Sequence, residues 1–206
     1  MSKQEEQLNT LNDIKKLMDR SSRFISLSGL SGVFAGFTAL AGAYLAHQEI
    51  NAYLSHSVYD IWDLEFNLLK IGFGVLIVAL TGGLLLTLRQ SRKKGLPFWD
   101  RTTKNLLINL AIPLFSGGLF IIALLIVHPN TYGLIAPSCL VFYGLALINA
   151  SKYTYSDIRF LGFCEIILGL IAMFYIGYGL YFWAIGFGIL HIFYGMLMYF
   201  KYERAN

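Results

Sequence analysis

Charge is scarce in this chain. Only 14% of its 206 residues are Asp, Glu, Lys or Arg, while 56% are hydrophobic. A soluble domain carries about a quarter charged residues, so the composition argues against an ordinary soluble fold and points to the membrane class. Cysteine is nearly missing. Cys139 and Cys164 both fall in apolar stretches and lack metal-ligand spacing, so neither a disulfide framework nor a metal site is indicated. There is no HExxH, GxSxG, phosphate-binding loop or dinucleotide fingerprint. Gly72-Phe73-Gly74 and Gly186-Phe187-Gly188 lie inside apolar stretches and read as helix-packing glycines. No catalytic residue, cofactor or metal is expected, and the chain reads as non-enzymatic. The formal charge of +4 comes without a recognition motif for nucleic acid.

What the chain does have is six long apolar stretches, at about 24–46, 66–88, 105–127, 132–151, 160–177 and 181–200. Each is close to the roughly 20 residues needed to cross a bilayer as a helix. Fifteen of the sixteen Lys and Arg residues lie before the first stretch, between the second and third, between the fourth and fifth, or after the sixth. The other three connections carry none. Positive charge is retained on the cytoplasmic side, so both termini are expected there, in a bacterial inner membrane. Aromatic residues at the stretch ends, such as Trp62, Tyr178 and Tyr181 outside and Trp99, Tyr153 and Tyr202 inside, fit the headgroup level.

The fold class is therefore an all-α, polytopic membrane protein. Six transmembrane helices are arranged as three hairpins, in one domain over 23–206. A weak repeat supports the hairpins: Phe142-Tyr143-Gly144 returns as Phe193-Tyr194-Gly195, and Gly117 as Gly169. Before the bundle, residues 1–22 place Leu8, Leu11, Ile14, Leu17 and Met18 at helical spacing, which predicts a short amphipathic cytoplasmic helix.

Small residues mark the first stretch. Ser28, Gly32, Gly36, Ala39 and Ala43 share one helix face, the pattern by which helices approach closely in lipid. Packing within the chain is the first expectation and a homo-oligomer the second. Glu165, His191 and Lys70 lie within stretches, each on a face with small residues, and charges there usually face protein or water. At about 1.5 Å per residue, Glu165 sits roughly 8 Å and His191 roughly 14 Å from the inner end, so the two can meet. Such a pair either relays protons or hydrogen-bonds for packing. Lys70 lies near the outer end, where it can also snorkel. Asn109 completes the candidate polar site, because Pro113 removes the donor that would bond its carbonyl; Pro137 is expected to act similarly in the fourth stretch. Outside, His47, His56 and His128 accompany Glu49, Asp60, Asp63 and Glu65 without metal-motif spacing.

The segment MDRSSRFISLSGLSGVFAGFTALAGAYLA, 18–46, resembles the start of a family of uncharacterised six-helix bacterial integral membrane proteins. That resemblance implies the topology and brings no reaction. The three-hairpin plan is also similar to acid-resistance membrane proteins built from hairpin repeats. The leading functional expectation is a membrane-embedded interaction or sensing subunit. Its partners are the lipid bilayer and a cytoplasmic protein met through residues 1–22 and 89–104, with no nucleic acid. The alternative is a small-solute or proton-coupled transporter with Glu165 and His191 in its path.

Topology is directly testable. Reporters fused after residue 95 or residue 206 are predicted to report the cytoplasm, and one inserted at Ser57 the exterior. An external signal at residue 95 contradicts the charge argument.

Overall fold

The computed structural model describes Gln7 and residues 24–55, 60–128 and 131–204. The expected amphipathic helix at 1–22, His56, and the turn at Pro129 and Asn130 lie outside this set. The described residues form six helices and no strand: α1 Gly29–Ser55, α2 Ile61–Lys93, α3 Arg101–Val127, α4 Tyr132–Tyr153, α5 Asp157–Ala172 and α6 Gly179–Tyr202. All but α5 are long and apolar enough to cross a membrane. Large apolar side chains cover the outside, with Leu69 of α2 and Phe115 of α3 about 70% exposed (71% and 70%). A soluble protein avoids so continuous an apolar surface; a membrane-embedded one requires it.

Three boundaries differ from the sequence expectation. The first helix begins at Gly29, because 24–28 is extended: the Phe24 amide donates to the Tyr153 carbonyl at 2.7 Å. α1 also continues to Ser55, so much of the long connection after the first stretch is helix. The fifth helix ends at Ala172 and the chain reverses through 173–178, where Gly177 adopts φ +103°. Only glycine takes that conformation without strain. Pro137 breaks no helical bond. It stands near the start of α4, where the first amides have no intrahelical partner anyway.

The helices meet through glycines. α1 lies between α2 and α6, α4 lies between α3 and α5, and α6 joins the two groups. A methyl group added at Gly36 would stand 2.6 Å from the Gly188 carbonyl and 2.6 Å from Ile192, and one at Gly195 would stand 2.6 Å from the Val33 nitrogen. A methyl group at Gly32 would stand 3.2 Å from the Gly195 Cα of the same helix, and Ala39 and Ala43 of α1 are buried. Gly144 of α4 and Gly162 of α5 do this for each other, each pressing on the other's carbonyl at 2.5 and 2.7 Å. On a different face of α1, Gly42 receives Val75 of α2, and Gly82 of α2 receives Phe34.

A polar clasp closes one end. Lys94 Nζ donates to the Ile25 carbonyl at 2.9 Å and to the Tyr155 hydroxyl at 3.2 Å, and that hydroxyl donates to the same carbonyl at 2.5 Å. Burial pushes the Lys94 ammonium below the usual lysine value, against the opposing pull of Glu203, and pushes the Tyr155 phenol up to about 12. Glu203 accepts from the Gly29 amide and from the Ser28 hydroxyl, so a carboxylate from the far end of the chain caps α1.

Gly36→Leu is predicted to lower stability in detergent by about 1–3 kcal/mol through overpacking, although leucine is the better helix former. Gly74→Leu, with open space around its backbone, should leave the thermal midpoint unchanged or raise it. Equal midpoints for the two variants contradict close packing of α1 on α6.

Candidate functional site

Glu165 of α5 is completely buried (0% exposed), and neither of its carboxyl oxygens has a hydrogen-bond partner among the described residues. Gly186 makes room for it: a methyl group at that glycine would lie 2.5 Å from Glu165 Oε2 and 2.5 Å from Leu140. His191 of α6 lies beside it, 7% exposed, with Nδ1 3.5 Å from Oε1. That nitrogen is already engaged, 2.9 Å from the Gly186 carbonyl. A carbonyl only accepts, so Nδ1 carries the hydrogen and donates it. In the neutral ring, Nε2 then accepts from the Tyr143 hydroxyl of α4 at 2.7 Å. Three helices thus bring a carboxyl, an imidazole and a phenol into one cluster.

The backbone under the cluster is unusual. Residues Ala184–Leu190 of α6 form a π-helical turn that ends at His191. Such wide turns recur at functional sites. Here the turn contains Gly186 beneath Glu165, and Gly188, whose added methyl group would strike Leu40 of α1. Phe187, in the same turn, packs on Tyr143 at 5.1 Å and on Trp183 at 5.4 Å between ring centres. A buried carboxyl needs a proton, a donor or a cation to meet its oxygens. The protein supplies an apolar pocket with one imidazole at its edge, which is a setting for proton exchange.

Glu165 and His191, singled out from the sequence, are therefore brought together. Tyr143 and Gly186 were not foreseen. The available signal was the repeat, which sets Tyr143 in register with Tyr194, a tyrosine whose hydroxyl also meets a neighbouring helix, 3.8 Å from Cys164 of α5. Asn109 does not join the cluster. Its backbone carbonyl, freed by Pro113, accepts from the Asn149 side chain of α4 at 3.0 Å, and its own amide turns back to the Asn105 carbonyl at 2.8 Å. The kink is sealed by a neighbouring helix. Lys70 also stands apart. It is exposed, with Nζ 4.5 Å from the Phe66 ring centre, and the Gly74 and Thr81 positions of its face are exposed too. That stripe looks outward, not toward the bundle interior, because α2 uses its Val75 and Gly82 face against α1. Around the α1–α2 connection, His47 pairs with Asn51 at 3.0 Å and Glu49 with Asn67 at 3.1 Å. No three His, Cys, Asp or Glu side chains converge among the described residues.

No family model, no curated protein and no solved structure matches this chain. The geometry of the cluster carries the functional reading by itself.

Glu165→Met keeps the side-chain volume and removes two unpartnered oxygens. Replacing a buried polar group by an apolar one of similar size is often neutral or stabilising. The thermal midpoint of Glu165→Met in detergent is predicted to equal or exceed that of the wild type. A clear drop assigns the carboxyl a structural bond instead.

Proposed function

We propose that this protein is a six-span inner-membrane protein, with both termini in the cytoplasm and three hairpins in parallel orientation, that acts as a non-enzymatic sensing subunit whose stimulus is the proton. Glu165 and His191 are its responsive pair, and Tyr143 links the pair to its surroundings. The observation that carries this reading is the isolation of Glu165, fully buried beside His191 with both oxygens unpartnered. A structural carboxyl is normally hydrogen-bonded; one buried without donors holds its proton and can give it up only if a neighbouring group or water meets the charge. Signal output to a cytoplasmic protein is assigned to residues 1–22; Phe24, close after them in sequence, is hydrogen-bonded to Tyr153 near the clasp of Lys94 and Tyr155.

The π-helical turn is the feature that favours the second reading, a proton-coupled transporter, since irregular helices line the sites of many carriers.

Trp183 reports on the cluster through Phe187. In a Trp62→Phe, Trp99→Phe background, its fluorescence is predicted to titrate with pH, and Glu165→Gln should flatten the curve while preserving the fold. In parallel, proteoliposomes are assayed for pH-gradient-driven flux. Flux abolished by Glu165→Gln establishes the transporter and removes the sensor reading. A pH response with no flux, together with loss of a co-purifying cytoplasmic protein on deletion of residues 1–20, supports the sensor.

A further inference from the structure

The loop between α2 and α3 carries a second feature, separate from the buried cluster. Segment 89–104 contains six cations and one carboxylate, Asp100. Lys94 is used inside the clasp. The other five, Arg89, Arg92, Lys93, Arg101 and Lys104, are exposed. None of them is paired with a carboxylate among the described residues. Asp100 forms no ion pair with them; its Oδ1 caps α3, accepting from the Thr103 amide at 2.7 Å and the Thr103 hydroxyl at 2.7 Å.

The cations are also placed in advance. The loop is tied down by the Ser91 hydroxyl donating to the Leu96 carbonyl at 2.8 Å and the Thr103 hydroxyl donating to the Phe98 carbonyl at 2.8 Å. Phe98 packs edge-on against Phe24 at 6.1 Å. With Gln90 and Ser91 buried, Arg89, Arg92 and Lys93 share the outward face of the last turns of α2, at spacings of three and four. Arg101 and Lys104 share a face of the first turn of α3.

Apolar surface adjoins the charge. Trp99 is 62% exposed, with Lys104 Nζ 5.9 Å from its ring centre, and Leu96 is exposed beside it. Further along the helices, Leu84 and Leu85 of α2 and Leu107 and Ile108 of α3 are exposed. α2 packs on α1 while α3 packs on α4, so two apolar walls rise from a cationic base without closing on one another. A soluble acidic protein would use the charges alone, whereas the walls belong to the apolar outer surface that faces hydrocarbon. A molecule with a phosphate at one end and hydrocarbon at the other uses both.

We propose that the α2–α3 loop and the adjoining helix walls form a binding site for an anionic phospholipid of the inner leaflet. Arg89, Arg92, Arg101 and Lys104 take the headgroup phosphate, Trp99 sits at the glycerol level, and the acyl chains lie along the exposed faces of α2 and α3. The proposal rests on the cytoplasmic placement of this loop, which the reporter at residue 95 tests independently. It does not depend on the role of Glu165.

The test uses the full-length protein in zwitterionic detergent, with lipid binding followed by native mass spectrometry and thermal shift. The probes are phosphatidylglycerol, phosphatidylcholine with the same acyl chains, and glycerol phosphate. Phosphatidylglycerol should bind at least tenfold more tightly than phosphatidylcholine, and glycerol phosphate should not compete at equal concentration. Each charge removed in Arg92→Gln and Arg101→Gln should weaken phosphatidylglycerol about fivefold, the equivalent of roughly 1 kcal/mol per basic residue at a membrane surface. Arg92→Lys and Arg101→Lys should retain most of the affinity, which separates loss of charge from loss of fold. Trp99→Ala should weaken the lipid without changing its salt dependence. Equal affinity for the two lipids overturns the proposal. So does full competition by glycerol phosphate, which would make this an anion site only, or a Gln double variant that sheds a bound acidic protein while its lipid preference stays intact.

Discussion

Direct contact between helix backbones is the constraint on which the structure depends. Among lipids, apolar side chains gain little from meeting one another, so helices associate where they fit most closely. Gly29, Gly32 and Gly36 let α1 lie against Gly188 and Gly195 of α6, and the Gly144–Gly162 pair does the same for α4 and α5. α6 is pressed onto α1 along both its π-helical turn and the helix after it. The other side of that turn passes α4 and α5, where Glu165 occupies the space above Gly186.

The buried cluster follows from that geometry. Glu165 reaches α6 because residue 186 has no side chain. His191 is oriented because the widened turn offers it the Gly186 carbonyl at 2.9 Å. Tyr143 is delivered by α4, whose own position is set by Gly144, one residue further on. The cluster therefore sits on helices fixed by packing, and only its carboxyl lacks a partner. The proposed sensing role uses that gap, which among the buried side chains of the described residues is confined to Glu165.

Much of the helical architecture was legible from sequence because a run of twenty apolar residues has few physical outcomes. The Glu165–His191 approach was legible too, since each shares a face with small residues and their depths are compatible. The freed Asn109 carbonyl could be foreseen from Pro113, but its donor, Asn149, could not, because that requires knowing that α3 packs on α4. Tyr143 was hidden because a tyrosine in an apolar helix resembles any other core aromatic. Lys70 misled: Gly74 and Thr81 looked like a packing face, yet α2 has one neighbour along most of its length and meets it with Val75 and Gly82. The π-helical turn left no mark beyond two glycines, which occur in many regular spans.

The cap on α1 bears on how the protein is made. Gly29 and Glu203 are 174 residues apart, and the helix carrying Glu203 is also the one that fills the glycine face of α1. At 5–20 residues per second, roughly 9 to 35 s pass between synthesis of the two. During that interval the first helix stands in the bilayer with its closest-packing surface turned to lipid and its leading amides uncapped. Assembly is thus completed only when α6 returns to α1. An insertion chaperone that shields small-residue faces would find its client in α1, and a chain cut short before α6 would present that face permanently.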